Sequence, residues 1–578
     1  MTRIWTRVFV LLVVVSFLAV PTPAEGPAQT SKQNQKVLRV TTRLVEVNVV
    51  VQDRKGQPVT DLTRDDFLLT EEGRRQEINF FSKITNEPTL TPLKPLPLHT
   101  FSNRLDLQAG APKSVIVILL DALNTEFSDQ IYAKNHIVKF LQQIQPQDRV
   151  ALYVLGSNLR VLHDFTDDTR SLLAALARFS ATDAEELKAS QPGRPPTSIT
   201  LITPNLGNAP MGAPAPVQVG LDTYLREAAQ RSADFYTVNR ALRTLDALQA
   251  IANRLSHIKG RKILIWVSGS FPFYTSLGGG DSTNVIRGQQ RSLAPDMERA
   301  ERALNNANLA IYPVDARGLL GPSGVNLNLS AEGSVTARAP GNPTIAEVGQ
   351  LPPTQDTMEE LADRTGGRSF YGNNDLLAAI RRASEDARVT YLLGYYPSHA
   401  NWDGTFRRIK VKVERQTVRV LCRRGYFAIP ERPLDEKARA AMLSEAAANP
   451  LDSTAVGLTV HLDDSDCTER SLIPLTVEVD PRDITLTEKD GRWEGSVDFY
   501  FVQASPEGRA LKVVSQKMRM RLSRERYDEI MKVGLSISGK LSLVRGADHL
   551  RVLARDGSSG GLGSVSLALA PGEPLQTQ

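Results

Sequence analysis

Residues 114–121 read SVIVILLD, in which six consecutive apolar side chains end abruptly on the carboxylate of Asp121. A short, uninterrupted apolar run is typical of a strand that is buried on both faces of a parallel sheet. Apolar residues at helical spacing follow over 129–145. The stretch therefore predicts a buried strand and a helix, with Asp121 and the residues after it in the loop that joins them.

The alternation of strand and helix continues along the chain. Further apolar strands are expected at 150–155, 263–267, 310–314 and 389–396. Helical patterns cover 169–179, 238–258, 297–308, 356–364 and 375–387. This order predicts an α/β fold over 113–397, with a doubly wound, mostly parallel sheet, helices on both faces and insertions near 185–237 and 318–350.

β-Branched and polar residues alternate on either side of this unit, which predicts an N-terminal small β domain and a C-terminal β-sandwich-like domain. Several domains are expected because 578 residues are too many for one core. In chain order, the flanking segments are a small β domain over 37–85, a Pro-rich linker over 86–112, a β-hairpin extension over 398–430 that pairs 406–413 with 417–423, a linking helix over 431–452 and the β-sandwich-like domain over 453–575.

The N-terminus has the order of a secretory signal, since two arginines precede an apolar run over 8–20 and prolines and small residues follow. We predict a signal peptide over 1–28, with cleavage after Ala24 or Ala28, and a secreted, periplasmic or cell-envelope location. An uncleaved membrane anchor is the open alternative, although a run of about 13 apolar residues is short for a full span. A second long apolar run does not occur in the sequence, so no membrane span is expected in the mature chain.

The charge of the chain bears on whether its partner is a nucleic acid. The 69 basic and 64 acidic residues give a net charge of +5, and the basic residues are scattered, so we predict no nucleic-acid partner.

Two cysteines, Cys422 and Cys467, are too few for a disulfide framework. Two alternatives stay open: the cysteines form one disulfide bridge, as an exported protein permits, or they are two separate thiols.

Polar side chains follow three of the predicted parallel strands. Asp121, Ser268 and Asp315 each come directly after a strand. Ligands of open parallel sheets bind outside the carboxyl ends of the strands, near the point where the strand order reverses. We therefore expect these three residues at one ligand-binding edge.

Several segments resemble the von Willebrand factor type A (VWFA) domain, and more narrowly the secreted VWFA-related proteins predicted from Acidobacteria. The segments are VEVNV at 45–49 with Gly56, Leu62 and Asp66-Phe67; LLDALNT at 119–125; LADRTGGRSF at 361–370; and YLLGY at 391–395 with GYF at 425–427. The match runs from about 37 to 430. The resemblance implies a type A fold, which is a general scaffold for interactions.

The resemblance also implies a metal-ion-dependent adhesion site, which needs oxygen ligands for Mg²⁺ or another divalent cation. Asp121 matches the first aspartate and Thr125 the second serine, but Leu123 replaces the first serine. Ser268 stands in place of the second aspartate, and Thr237 is the nearest candidate for the loop threonine.

The implied metal site is therefore degenerate and incomplete, and no cofactor is assigned with it. Asn124 and Asp315 are further oxygen donors that we expect at the ligand edge. The alternative is that Asp121 ends the strand and caps the following turn or helix without any metal.

These observations predict a non-enzymatic binding or adhesion protein whose loop edge contacts a protein or cell-surface ligand. One alternative is a hydrolase that uses 190–218 and 318–349 as lids, although the sequence has neither a Gly-x-Ser-x-Gly elbow nor an evident base. The other alternative is a purely structural component of the envelope that assembles through its β domains.

Overall fold

The computed structural model describes residues 44–85, 96–104, 107, 114–145, 148–190, 216–256, 258, 260–271, 294–318, 354–386, 388–399, 401–428, 446, 449, 451–462, 472–506 and 509–569. The signal peptide, most of the linking helix and large parts of both predicted insertions lie outside these residues. Cys467 lies outside them as well, so its pairing with Cys422 stays a prediction.

The helices and strands divide into three stretches of chain. The first holds β1 (Val45–Gln52), β2 (Phe67–Glu71), β3 (Arg74–Gln76), β4 (Phe80–Thr85) and β5 (Thr100–Ser102). The second holds β6 (Ser114–Asp121), α1 (Phe127–Leu141), β7 (Val150–Leu155), β8 (Leu159–Thr166), α2 (Thr169–Ala177), α3 (Glu185–Ala189), α4 (Pro216–Leu255), β9 (Arg261–Ser268), α5 (Ala294–Ala307), β10 (Leu309–Asp315), α6 (Thr354–Thr365), α7 (Leu376–Glu385) and β11 (Val389–Tyr395). The third holds β12 (Phe406–Val413), β13 (Arg419–Cys422), β14 (Gly425–Phe427), β15 (Leu458–Leu462), β16 (Leu472–Val479), β17 (Thr487–Lys489), β18 (Arg492–Ala504), β19 (Ala510–Leu522), α8 (Arg524–Val533), β20 (Leu535–Ser542), β21 (His549–Asp556) and β22 (Leu562–Ala568).

The central sheet has five strands in the order β10-β9-β6-β7-β8. The strands β10, β9, β6 and β7 are parallel, and only β8 at the edge is antiparallel. The chain leaves β6 toward β7 on one side and leaves β9 toward β10 on the other. The strand order thus reverses between β6 and β9, and the predicted α/β fold is confirmed.

Both faces of the central sheet are covered because successive side chains of a strand point to opposite faces. Val115, Val117 and Leu119 of β6 pack in one core with α4, α5 and α6. The side chains between them in the sequence pack in a second core with α1, α2 and α7. This explains why the whole of SVIVILLD is buried.

Two further sheets, in the orders β13-β1-β11-β4 and β14-β12-β2-β3, share one core. The structure corrects two sequence expectations here. β11 was expected to end the α/β unit, but it pairs antiparallel with β1 and β4. The predicted hairpin of 406–413 with 417–423 is wrong, because β12 pairs with β2 and β14 whereas β13 pairs with β1. Buried tyrosines of β11 pack against the valines of β1, a long-range match that strand periodicity does not encode.

The C-terminal strands form the sheets β20-β16-β15-β5 and β17-β18-β21-β22, with β19 also paired to β18. Apolar side chains of both sheets share one core. β5 lies within the segment predicted as a Pro-rich linker, and it pairs with β15, which corrects that prediction locally. Helix α8 was not predicted. None of the described helices has the length and apolar character that crossing a membrane requires.

A substitution at Gly367 tests how closely the residues after α6 approach β10. A Cβ atom at this position would collide with the Ile311 main chain of β10. We expect Gly367→Ala to lower the free energy of unfolding by about 1–3 kcal/mol, the usual range for overpacking. Urea unfolding measures the loss, and Gly156→Ala is the control because its Cβ would meet no atom within 4 Å. Equal stability of the two variants would contradict the close approach.

Candidate functional site

The candidate site lies where β6 and β9 end, next to the reversal of strand order. Asp121 and Ser268 are the last residues of these strands, and both are completely buried. The Ser268 hydroxyl donates a hydrogen bond of 2.8 Å to Asp121 Oδ2. Asp315 ends the next strand and is the register partner of Ser268. The strand ends thus bring these three predicted residues to one edge of the sheet.

The Asp121 carboxylate accepts hydrogen bonds on both oxygens. Oδ1 accepts from the main-chain N–H of Asn124 at 3.0 Å and from its side-chain amide at 3.1 Å. Oδ2 accepts from the same amide at 2.8 Å, from Trp266 Nε1 at 3.0 Å and from Ser268. A carboxylate offers roughly four lone-pair sites, so these five contacts use its accepting capacity fully.

Asn124 connects this carboxylate to helix α4. Its amide nitrogen also donates to Thr244 Oγ1 at 3.0 Å, and its amide oxygen accepts from Arg240 Nε at 3.0 Å. The Thr244 hydroxyl in turn donates to the main-chain carbonyl of Arg240, one helical turn earlier. Asn124 therefore links a buried anion to a buried cation.

Arg240 is the positive end of this network, and only 4% of its surface is exposed. Its Nη1 donates to Ser190 Oγ at 2.5 Å and its Nη2 to Ser270 Oγ at 2.9 Å. All three guanidinium nitrogens thus have a hydrogen-bond partner. A buried charge is tolerated when its hydrogen bonds are satisfied and an opposite charge lies near. We name Asp121, Asn124 and Arg240 the buried charge network.

Burial shifts the pKa of both charged groups toward their neutral forms. Desolvation raises the pKa of Asp121, and the hydrogen bonds from Asn124, Ser268 and Trp266 oppose that rise. Desolvation lowers the pKa of Arg240 to about 10, against the attraction of Asp121 and Glu186. Arg240 therefore stays charged at neutral pH. The amide, main-chain and indole N–H groups aimed at Asp121 can only donate, so the geometry satisfies its ionised form.

The loops after β6 and β9 are also joined to each other directly. The main-chain N–H of Gly269 donates to Thr125 Oγ1 at 2.8 Å, and the Ser270 hydroxyl donates to the Asn124 carbonyl at 3.1 Å. On its other side, the Thr125 carbonyl accepts from the Gln130 amide at 2.8 Å. These hydrogen bonds join the two loops into one unit.

Two residues predicted for the site have other roles. Thr237 was placed before the long helix, but α4 begins at Pro216, so Thr237 lies inside it and its hydroxyl donates to the Ala233 carbonyl at 2.9 Å. Asp315 reaches the edge but binds Arg317 bidentately, through Nε at 2.9 Å and Nη2 at 2.8 Å. None of the contacts of the buried charge network involves either residue.

The residues that match the implied adhesion site do not fit a hard divalent cation. Such a cation needs free oxygen lone pairs in octahedral order. The oxygens of Asp121 accept from protein donors, and Thr125 Oγ1 accepts from a main-chain N–H. Ser268 Oγ lies within hydrogen-bond distance of both Asp121 Oδ2 and the Ser270 carbonyl, at 2.8 and 2.7 Å. Within the part of the chain that the structure describes, no group of three or more His, Cys, Asp or Glu residues has a metal-binding arrangement.

The sequence interpretation missed Arg240, Thr244 and the indole N–H of Trp266. A signal for the first two exists, because Arg240 and Thr244 occupy the helical stripe that continues through Leu248, Ile251 and Leu255, which are buried. A polar pair in an otherwise apolar stripe indicates a buried polar contact. Trp266 lies in the strand predicted at 263–267 and is completely buried, and its indole N–H donates to Asp121.

Comparisons with known proteins give limited information. Neither a protein-family model nor a curated protein matches the chain. Among solved structures, an aerotolerance-related membrane protein from Bacteroides fragilis is 14% identical, with a TM-score of 0.24, over 47% of this chain and 98% of that one. The VWA domain of SpRpn10 is 12% identical, with a TM-score of 0.17, over 35% and 74% of the two chains. BatB from Bacteroides thetaiotaomicron is 12% identical, with a TM-score of 0.23, over 47% and 95%. These similarities are too weak to assign a family or an activity, and the α/β fold rests on the strand order described above.

The cost of losing the buried cation can be measured by replacing Arg240. We expect Arg240→Met to lower the free energy of unfolding by about 3–5 kcal/mol, because it leaves the Asp121 charge buried without its cation. Arg243→Met on the same helix is the matched control, since Arg243 forms a half-exposed pair with Glu186 and such pairs contribute about 1 kcal/mol or less. Urea unfolding distinguishes the two, and a loss for Arg240→Met no larger than the control would contradict the network.

Cation binding at this edge can be tested by calorimetry. We expect no binding heat when Mg²⁺ is added to the purified chain, and no change in melting temperature on adding a chelator, because Asp121 has no lone pair to offer. Asp315→Asn serves as the control, because Asp315 ends the neighbouring strand but binds Arg317 and not the buried charge network. A saturable heat that disappears in Asp121→Asn but persists in Asp315→Asn would show that a cation displaces the hydrogen bonds.

Proposed function

We propose that this chain is an exported, non-enzymatic binding protein whose VWFA-like α/β domain contacts a protein or cell-surface ligand through the loops after β6 and β9. In this proposal the adhesion site implied by the sequence is degenerate, and the buried charge network holds the loops in place of a metal ion. The observation that carries the proposal is the complete hydrogen bonding of Asp121 by donors from β9 and from the loop between β6 and α1.

An exposed apolar surface adjoins these loops and supports a protein as the ligand. Phe127 and Ile131 are one helical turn apart at the start of α1, and they are 47% and 41% exposed. Residues four apart lie on the same face of a helix, so the two side chains form one patch. A large aromatic side chain over a rigid base is a common anchor in protein interfaces.

The alternative of a hydrolase has no histidine base beside the candidate nucleophile among the described residues. The Ser268 hydroxyl forms hydrogen bonds with Asp121 and with the Ser270 main chain. Nucleophilic serine catalysis needs a base that is free to take the proton, and the Asp121 carboxylate already accepts from Asn124 and Trp266. The buried position of Ser268 therefore favours binding over catalysis as the role of this edge.

A capture experiment tests the proposed function. We expect the immobilised mature chain to retain a specific ligand from a cell-envelope extract, equally with and without a chelator, and we expect Phe127→Ala with Ile131→Ala to weaken retention about tenfold or more, as for interface anchors. Val513→Ala in β19 is the control, because this residue is exposed but far along the chain. Unchanged retention in the α1 variant would favour a structural component assembled through its β domains.

A further inference from the structure

A cavity of about 560 Å³ lies at the outer edge of the central sheet, where Val314 and Asp315 at the end of β10 line it. Its walls are the residues after α6, the helices α6 and α7, and Arg419 of β13. A volume of this size is typical of sites that enclose a ligand.

The floor of the cavity is an extended stretch of chain with one free edge. Phe370 forms a parallel bridge to β10, donating its N–H to the Pro313 carbonyl at 2.9 Å and accepting from the Asp315 N–H at 2.9 Å. Main-chain groups of neighbouring residues in an extended chain point to opposite sides. Those of Ser369 therefore point away from β10, toward the cavity, and no hydrogen bond in the described part of the chain uses Ser369.

The charges around the cavity are not equivalent. Each lining carboxylate already accepts a hydrogen bond from the protein: Asp315 from Arg317, Glu359 from Tyr371, Asp363 from Arg424 and Asp375 from the Ala378 N–H. The arginines Arg382 and Arg419 are exposed and have no carboxylate partner among the described residues. Asp315 and Asp363 are paired with arginines, whereas Glu359 and Asp375 accept only from neutral donors, so the unpaired charges of the cavity are of both signs and its positive side is formed by the arginines.

Arg368 adds a third guanidinium to this wall. Its Nη2 donates to Gln52 Oε1 at 2.6 Å and lies 3.8 Å from Asp386, but its Nε is buried without a hydrogen-bond partner. Arg368 also lies close enough to Arg419 that their repulsion contributes to a lowered pKa of Arg419, after the larger effect of desolvation. Arg419 is exposed and has no ion pair among the described residues, so this guanidinium, beside Arg368, suits a carboxylate, which a guanidinium binds bidentately.

We propose that this cavity binds an extended peptide segment of a protein partner, which adds a strand beside Ser369 and places an acidic side chain against Arg368 and Arg419. Strand addition to an open sheet edge supplies main-chain affinity, and a pocket for one side chain supplies specificity. The two helices on either side confine the peptide to the extended form. This site adjoins the edge near Asp121 at Asp315, but it does not depend on the function proposed for the loops after β6 and β9.

The test uses the purified chain and a pool of random hexapeptides displayed on beads. We expect the retained peptides to share one Asp or Glu position, and Arg419→Ala with Arg382→Ala to bind a retained peptide about tenfold more weakly, as for loss of a charged hydrogen bond. Arg381→Ala is the matched control, because this neighbouring arginine pairs with Glu385 and does not line the cavity.

A second pair of variants tests strand addition. Ser369→Pro removes the main-chain N–H that would bind the peptide, whereas Ser369→Ala keeps it, so only the proline variant is expected to lose the peptide. Melting curves check that both variants are folded. If the proline variant is unfolded, the arginine variants remain the test of the proposal.

Three outcomes would overturn the proposal. The first is a retained pool without a shared acidic position. The second is displacement of the peptide by acetate or inorganic phosphate at equal affinity, which would make the cavity a site for small anions. The third is self-association of the full chain in sedimentation experiments that Arg419→Ala with Arg382→Ala abolishes, which would make the occupant a second copy.

Discussion

The buried charge network of Asp121, Asn124 and Arg240 is the constraint on which the ligand edge of this protein depends. A carboxylate without solvent access costs several kcal/mol unless donors and an opposite charge compensate it. Here the donors come from the strand ends and their loops, and the charge comes from α4. The loops after β6 and β9 consequently have one arrangement in which every polar group is satisfied. In the proposed function, this network takes the place of a cation in ordering the edge.

The network also accounts for the serine at position 268, where the resemblance implies an aspartate. Ser268 donates to Asp121 at a position where an aspartate would add a second negative charge. With one carboxylate instead of two, a single guanidinium nearby balances the charge. Leu123 is buried with the apolar core instead of offering an oxygen. Under the proposed function, the departures from the pattern that the resemblance implies are consistent with each other, since each removes a ligand whose place Arg240 takes.

Sequence reasoning located much of this edge because it depends on local patterns. The apolar run that ends on Asp121 and the strand that ends on Ser268 define where parallel strands stop, and strand ends must meet at one edge. Arg240 was missed because it lies more than a hundred residues from Asp121 and its contact depends on how α4 packs on the sheet. Thr237 was misplaced for the related reason that the start of α4 has no clear signal in composition. β11 was assigned to the wrong sheet because periodicity identifies a strand but not its partner.

The central claim is that Asp121 and Arg240 are energetically coupled through Asn124, and a double-mutant cycle measures this most directly. The unfolding free energies of the wild type, Asp121→Asn, Arg240→Met and the double variant would be compared in the presence of a chelator. The account predicts that the double variant is less destabilised than the sum of the single variants, by about 1–3 kcal/mol. Additive losses within about 0.5 kcal/mol would show that the two charges are independent and would contradict the account.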